Sequence, residues 1–425
     1  MLYKRIVAVV SLILCLAFPV AAKTRIVVWH SLDATHGEPM FNGVADEFRK
    51  AYPDIEVEVI NAGGYVASLE KLQVAYAGGA SPNIAMTEQT RSAGLYYSGA
   101  LLSIDDFIKG PNGIDIDDFS PTMLGAVTYE GKLYGLPYNT STPLIYYNKD
   151  LFMKSGLQPN APKTWDEILN FSRKIAKDTD GDGNTDVFGF DFYAWGWLFE
   201  AWTGQNGGRI INEDVTQFTF ATEENIEAMQ FVQDMVHKER VARFAGASGY
   251  NLFWAGTLAM TERSTASLAN NIKSATFDMG VAPLACNKEC YAPIGGGNFF
   301  MMNTGTKEEQ EAAWLFLKWI TSPENLAEMS VATGYMAARR SSMNAPALRE
   351  AFRIEPRYRA TYEQMNVAYT RPKVPFWNAV VGPALSTGGF YTLQFHENGN
   401  VRQGLEELDR IANAQMRDWL ATLNR

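Results

Sequence analysis

Cysteine is almost missing from this chain, at three in 425 residues, and histidine is hardly commoner at four (His30, His36, His237, His396). No pair of histidines has the His-Glu-x-x-His spacing, and no His or further Cys accompanies Cys286 and Cys290 to complete a metal site. No basic block occurs either: 37 Lys and Arg stand against 47 Asp and Glu, a formal net charge of −10. Such a chain is poorly suited to nucleic acid or anionic membrane surfaces. There is no Gly-x-Ser-x-Gly elbow, Walker loop or dinucleotide fingerprint, and "PIGGGNFF" lacks the spacing and following helix of a phosphate cradle. No nucleophile–base pair is visible, so a secreted enzyme remains only a remote alternative. Internal repeats, low-complexity tracts and long linkers are absent.

What is present is an ordinary globular composition, 47% hydrophobic and 20% charged, long enough for two lobes. Residues 1–22 place Lys4 and Arg5 before an apolar run ending at Val20-Ala21-Ala22, the pattern of a secretory signal cut before Lys23. The run is shorter than the ~20 residues of a membrane span. Cys15 lies inside it after bulky Leu14, which does not fit a lipoprotein. A soluble, periplasmic, monomeric protein is expected. Outside the reducing cytosol, Cys286 and Cys290 are expected to form a short-loop disulfide. Its five-residue ring stabilises by roughly 2 kcal/mol on the chain-entropy estimate.

The mature start reads β-α-β-α-β. "TRIVVWHS", "IEVEVINAG" and "NIAMTEQ" are strands, and the intervening segments are helices bounded by Pro53 and Gly78-Gly79. This order predicts α/β architecture with mixed, mostly parallel sheets flanked by helices. Ligands in such folds sit beyond the carboxyl ends of strands, here His30-Ser31, Gly63-Gly64-Tyr65 and Glu88-Gln89. Further helices are expected at "EEQEAAWLFLKWIT" and across the C-terminal "VRQGLEELDRIANAQMRDWLATL".

Three stretches invite a functional reading beside a plain one. "DTDGDGNTD" sets Asp178, Asp180, Asp182 and Asp186 where oxygen ligands can wrap a structural Ca²⁺, or where a solvated acidic turn needs nothing further. No other cofactor is expected. "FYAWGWLFEAW" crowds Trp195, Trp197 and Trp202 around Gly196, which reads as a loop, its rings facing either the core or a ligand cleft. "ERSTAS" offers Ser264, Thr265 and Ser267 before a helix, more hydroxyls than one cap requires.

"PYNTSTPLIYYNKDLFMKSGL" followed by "PKTWDEI", with "VVWHS", "GTLAMT", "SLAN", "PIGGGNFF" and "TGY" in order, resembles the periplasmic solute-binding proteins of ABC importers in the maltose-binding-like group, and most of all their glycerol-3-phosphate-binding members. The likeness spans essentially the whole mature chain. It implies a type II two-lobed periplasmic-binding-protein fold that closes over a small solute and docks on ABC permease subunits. The lobes would be 23–137 with 296–324, and 138–295 with 325–425. Carried over by position, the ligand contacts fall on Tyr65, Glu88, Ser141, Ser264, Gly296 and Tyr335, with the hydroxyls of the lobe-crossing segment facing the cleft. One departure stands out. Gly389 occupies the neighbourhood of the family's phosphate-binding arginine, and Phe376 to Phe395 contain no Arg or Lys. A phosphate would then depend on serines, helix amides, or Arg371 or Arg339 as substitutes. The implied solute is a glycerol-3-phosphate or glycerophosphodiester compound. The alternative is a neutral mono- or oligosaccharide, or a ligand presented to a chemoreceptor.

Overall fold

The computed structural model describes residues 23–34, 37–245, 248–377 and 399–423; the expected export signal and Gly389 lie outside them. The chain runs β1 (Thr24–His30), α1 (Gly37–Ala51), β2 (Ile55–Asn61), α2 (Tyr65–Ala77), β3 (Ile84–Glu88), α3 (Gln89–Tyr97) and β4 (Gly135–Ser141). It continues through β5 (Pro143–Asn148), β6 (Phe188–Phe192), α4 (Gly196–Gln205), β7 (Ala242–Phe244), β8 (Leu258–Ser264) and β9 (Met279–Ala282). Then come β10 (Gly295–Met301), α5 (Lys307–Ile320), α6 (Pro323–Thr333) and α7 (Val401–Leu423).

Two five-stranded sheets result, in the orders β2-β1-β3-β10-β4 and β9-β5-β8-β6-β7. The β-α-β start gives the parallel pairs β1–β2 and β1–β3. The strands at the lobe crossings pair antiparallel: β10 with β3 and β4, and β5 with β8 and β9. A chain that leaves one sheet and returns arrives without the helical crossover that enforces parallel pairing.

Each sheet has its own core. In the first, Ile26, Val28 and Met86 meet Phe41 and Phe48 of α1 and Phe316 of α5, with the Phe48 and Phe316 rings edge-on at 5.0 Å. In the second, Phe190, Trp165, Trp202 and Phe192 pack together, the Trp165 and Trp202 centroids 4.6 Å apart. The amphipathic spacing of α5 accounts for its docking, and Thr306 with Glu309 closes its first turn as a capping box.

The crossings differ from the expected boundaries. The first lies at Thr142, between β4 and β5, rather than after residue 137, because Asn139 to Ser141 still pair with β10. The second enters β10 at Gly295. The segment from 325 onward does not pass directly to the second lobe. Leu326, Met329 and Met336 pack in the first core, while Ala327 joins Leu144 and Tyr146 of the second sheet. The tryptophan-rich stretch differs in part: from Gly196 onward it is the helix α4, buried throughout, while Trp195 precedes the helix and is exposed. Gly204 of α4 serves close packing. A Cβ on Gly204 would sit 2.2 Å from the Tyr291 ring. Among the described residues, no helix is long and apolar enough to cross a membrane.

Candidate functional site

A cavity of about 350 Å³ opens between the two sheets where their strand ends face each other. From the first sheet come Glu88, at the end of β3, and Gly295 and Gly296, at the start of β10; Ser141 ends β4. Tyr65 opens α2. Ser264, at the end of β8, and Trp195, Gly196 and Trp197, at the start of α4, face them from the second lobe. Tyr335 completes the floor, delivered by Gly334, whose left-handed φ of +88° ends α6. A Cβ on Gly334 would lie 2.4 Å from the Thr265 carbonyl, so only glycine lets this helix end approach the opposite lobe.

Of the nine residues expected to meet a ligand, eight line this cavity, and Trp202 does not. Trp202 is fully buried in the second core, and its Nε1 donates to Glu262 Oε2 at 2.8 Å. Helical spacing decides this: with Trp197 at the mouth of α4, a residue five positions on points to a different side. Trp197 is also buried, its Nε1 donating to the Pro293 carbonyl at 2.9 Å, whereas Trp195 is 46% exposed.

The Asn-Thr-Ser-Thr cluster divides its work. Asn139 Oδ1 accepts from the Gly297 amide at 2.9 Å, and its Nδ2 donates to the Tyr65 hydroxyl at 3.1 Å. Thr140 bridges to Met336, and the Thr142 carbonyl accepts from the Thr265 amide. Only Ser141 of the four lines the cavity, so the expectation that this segment's hydroxyls face the cleft holds for one side chain. Ser264 lines it while capping the turn that follows, its Oγ accepting from the Ala266 amide at 3.2 Å. Gly296 has a φ of +91°, and a Cβ there would meet the Asn139 carbonyl at 1.9 Å. Its place in the cavity wall is therefore a consequence of strand pairing as much as of ligand access.

The charged groups were the least legible. Glu88 does not stand free as a hydroxyl acceptor. Its Oε1 accepts from Arg371 Nη1 at 2.7 Å, and its Oε2 accepts from Thr90 Oγ1 at 2.6 Å. Arg371 also donates through Nη2 and Nε to the two oxygens of Glu200, at 2.5 and 2.8 Å. Since Glu88 lies on the first lobe and Glu200 on α4 of the second, Arg371 ties the lobes together. Burial opposes its charge, but Glu200 and Glu88 more than offset that and hold the guanidinium above its usual range. Burial pushes the Glu200 carboxyl up, against the pull of Arg371. Arg91, one turn after Glu88, also lines the cavity. Its Nε is 3.5 Å from Glu88 and has no hydrogen-bond partner, and burial holds its pKa below the usual value despite Glu88. The i, i+3 spacing of Glu88 and Arg91 was the available signal for it. Arg339, the other candidate substitute, is spent elsewhere: it pairs with Asp118 at 3.5 Å and covers the Phe119 ring.

Away from the cleft, Cys286 and Cys290 are bonded to each other. Asp178, Asp180 and Asp186 each offer an oxygen within 4.8 Å of the others; Asp182 is not in the group and instead accepts from Asn184. Hydrogen bonds from the Gly181 and Gly183 amides lower the Asp178 pKa, so the turn's own backbone already meets part of that charge.

A family model described as bacterial extracellular solute-binding protein matches residues 43–352. The sn-glycerol-3-phosphate-binding periplasmic protein UgpB of Pectobacterium atrosepticum is 30% identical over 350 residues, covering 76% of each chain. Its counterpart in Yersinia pseudotuberculosis is 31% identical over 350 residues and covers 77% of each. Among solved structures, UgpB from Mycobacterium tuberculosis in complex with glycerophosphocholine matches with a TM-score of 0.82 at 25% identity, over 93% of this chain and 99% of that one. The sugar-binding protein MalE from Xanthomonas citri reaches 0.80 at 20% identity, over 95% and 100%, a likeness of fold alone.

Proposed function

We propose that this chain, which belongs to the bacterial extracellular solute-binding protein family, is the periplasmic solute-binding subunit of an ABC importer for a glycerol-phosphate compound, and specifically for a phosphodiester. The observation that carries the choice is the cation supply in the cavity. Among the described lining residues, two guanidinium groups face one carboxylate, and Arg371 is further committed to Glu200 behind it. Arg91 shares Glu88 with Arg371, 3.5 Å away and with its Nε lacking a hydrogen-bond partner, so it is the guanidinium least committed to a carboxylate. A phosphodiester carries one negative charge and matches it. A phosphomonoester near neutral pH carries close to two and asks for a second free cation.

The rest of the cavity suits the glycerol moiety and its mode of capture. Ser141, Ser264 and the Tyr65 and Tyr335 hydroxyls supply donors and acceptors, and Trp195 and Trp197 supply flat apolar walls. Side chains from both lobes line one cavity, and Arg371 reaches both, so ligand binding favours the closed arrangement that a permease recognises. No chemical step is involved. The similarity to glycerol-3-phosphate-binding proteins supports the solute class, and the aromatic walls support a neutral sugar as the second reading.

A thermal-shift titration decides between them, using glycerophosphodiesters, glycerol-3-phosphate and maltose. Ligand at 100 times its Kd stabilises by about 2.7 kcal/mol, a shift of several degrees. Diesters are expected to give the largest shift at equal concentration. A shift with maltose alone would overturn the reading in favour of sugar, and a stronger response to glycerol-3-phosphate would overturn the diester preference.

A further inference from the structure

The second lobe presents an aromatic wall to the cavity, made by Tyr193, Trp195, Trp197 and Tyr250. Trp195 is exposed and the two tyrosines are half-buried, so core packing alone does not fix these three rings. Against them lies a fully buried ion pair, Arg263 with Asp191. Arg263 Nη2 donates to Asp191 Oδ2 at 2.5 Å, and its Nη1 donates to the Glu262 carbonyl at 2.7 Å. Strand register brings the pair together. β6 and β8 run parallel with Asp191 opposite Thr261, and Arg263, two residues on, projects from the same face of β8 as Thr261. The guanidinium lies over both tyrosines, 4.9 Å from the Tyr193 centroid and 5.0 Å from that of Tyr250. Neither member of the pair lines the cavity itself.

A cation over a ring face attracts it more strongly where water is excluded, as it is here. The hold extends in two directions. Tyr193 carries it to Trp195, 5.8 Å away between centroids, and Trp195 meets Trp197 at 5.1 Å. Tyr250 stands on the short helix Ser248–Trp254, whose Gly249 rests directly on the pair: a Cβ there would be 2.2 Å from both Arg263 Nη2 and Asp191 Oδ2. The far end of Tyr250 is tied to Ser267, hydroxyl to hydroxyl at 2.6 Å. As a source of stability such a pair is poor, because the desolvation of two charges offsets their attraction. As a fixed support for two cavity rings it has a use. We infer that Arg263, held by Asp191, is a positioning residue for solute binding: it sets the aromatic wall of the second lobe without touching the solute. This rests on the reading of the cavity as the solute site and adds the group that fixes one of its walls.

The test separates support of the wall from support of the fold. Arg263→Met alone leaves Asp191 buried without a countercharge and is expected to melt early. Arg263→Met with Asp191→Asn removes both charges. It should regain most of that lost Tm and still bind glycerophosphocholine roughly three- to tenfold more weakly than wild type in calorimetry, the scale of the cation–π contacts removed. A readout without ligand accompanies it. In fluorotryptophan-labelled protein, the Trp195 and Trp197 fluorine resonances, assigned from Trp195→Phe and Trp197→Phe, should shift or broaden in the double variant. Those of Trp165 and Trp202, packed in the second core, should hold. Affinity that recovers together with Tm would make the pair a structural element only and overturn the inference. So would unmoved Trp195 and Trp197 resonances, whatever the affinity. A wild-type protein that binds maltose and no diester overturns the solute reading alone; the same comparison, made with maltose, then decides the role of Arg263.

Discussion

Replacing Arg371 by methionine tests the electrostatic design of the cleft most directly. The side chain is 7% exposed and is bonded to Glu88 and Glu200, the latter 3% exposed. Methionine fills much of the same volume but leaves Glu200 buried without a countercharge, a loss that typically costs about 3–5 kcal/mol. For a cooperative unit of ~200 residues, 1 kcal/mol corresponds to about 2–3 °C, so Tm should fall by roughly 6–15 °C. A pH signature follows. Burial already raises the Glu200 pKa and Arg371 opposes it; without Arg371 the folded carboxyl holds its proton to still higher pH than the unfolded one, whose ordinary value is 4.5. The folded state then binds more protons than the unfolded state above that value. Its stability is therefore fully present at low pH and is lost as pH rises, by up to about 1.4 kcal/mol per unit. Arg371→Met should thus be closest to wild type near pH 5 and furthest from it near pH 8. Adding Glu200→Gln should remove the extra slope and recover a large part of the loss. Urea unfolding of the three proteins between pH 5 and 8 supplies the measurement. An Arg371→Met protein as stable as wild type, or a double variant no more stable than the single, would refute the claim that Arg371 neutralises a buried carboxylate.

Glu262, buried beside Trp202, has its pKa pushed up to about 8 by burial, so its neutral form stabilises the fold below about 4.5 and that contribution is lost as pH rises through 8. Glu262→Gln should gain on wild type by up to about 1.4 kcal/mol for each unit above 5, read from unfolding midpoints; parallel pH profiles would show that the carboxyl is charged throughout. Trp195→Ala should weaken ligand binding by about five- to tenfold with a Tm change under about 2 °C, because the ring is half exposed at the cavity mouth. Trp197→Ala should lower affinity and also cost about 3–5 kcal/mol, and similar Tm values for the two would contradict the burial difference. Gly296→Ala should destabilise by about 2–4 kcal/mol, since the new methyl meets the Asn139 carbonyl; circular dichroism melting at wild-type midpoint would show that β10 shifts freely.

The alternation and helical spacing of the first 90 residues sufficed for the β-α-β-α-β order, because amphipathic period is a local property of the chain. The same holds for α5 and α7 and for the pairing of Cys286 with Cys290, only four residues apart. Motif order brought Tyr65, Glu88, Ser141, Ser264, Gly296 and Tyr335 together on paper, and they do share one cavity. What the sequence could not show was which groups are already spoken for. The ion pair of Glu88 with Arg371 spans 283 residues, and that of Arg371 with Glu200 spans 171. No local pattern reports a contact at that separation, so Glu88 read as a free acceptor and Arg371 as one substitute among two. The tryptophans show the same limit, since Gly204, which looks like loop punctuation, instead lets α4 pack against Tyr291. Sequence determined the elements and most of the cavity's walls. Tertiary structure decided the charge balance inside it, because countercharge at a buried site depends on distance in space and on exclusion of water, neither of which is written along the chain.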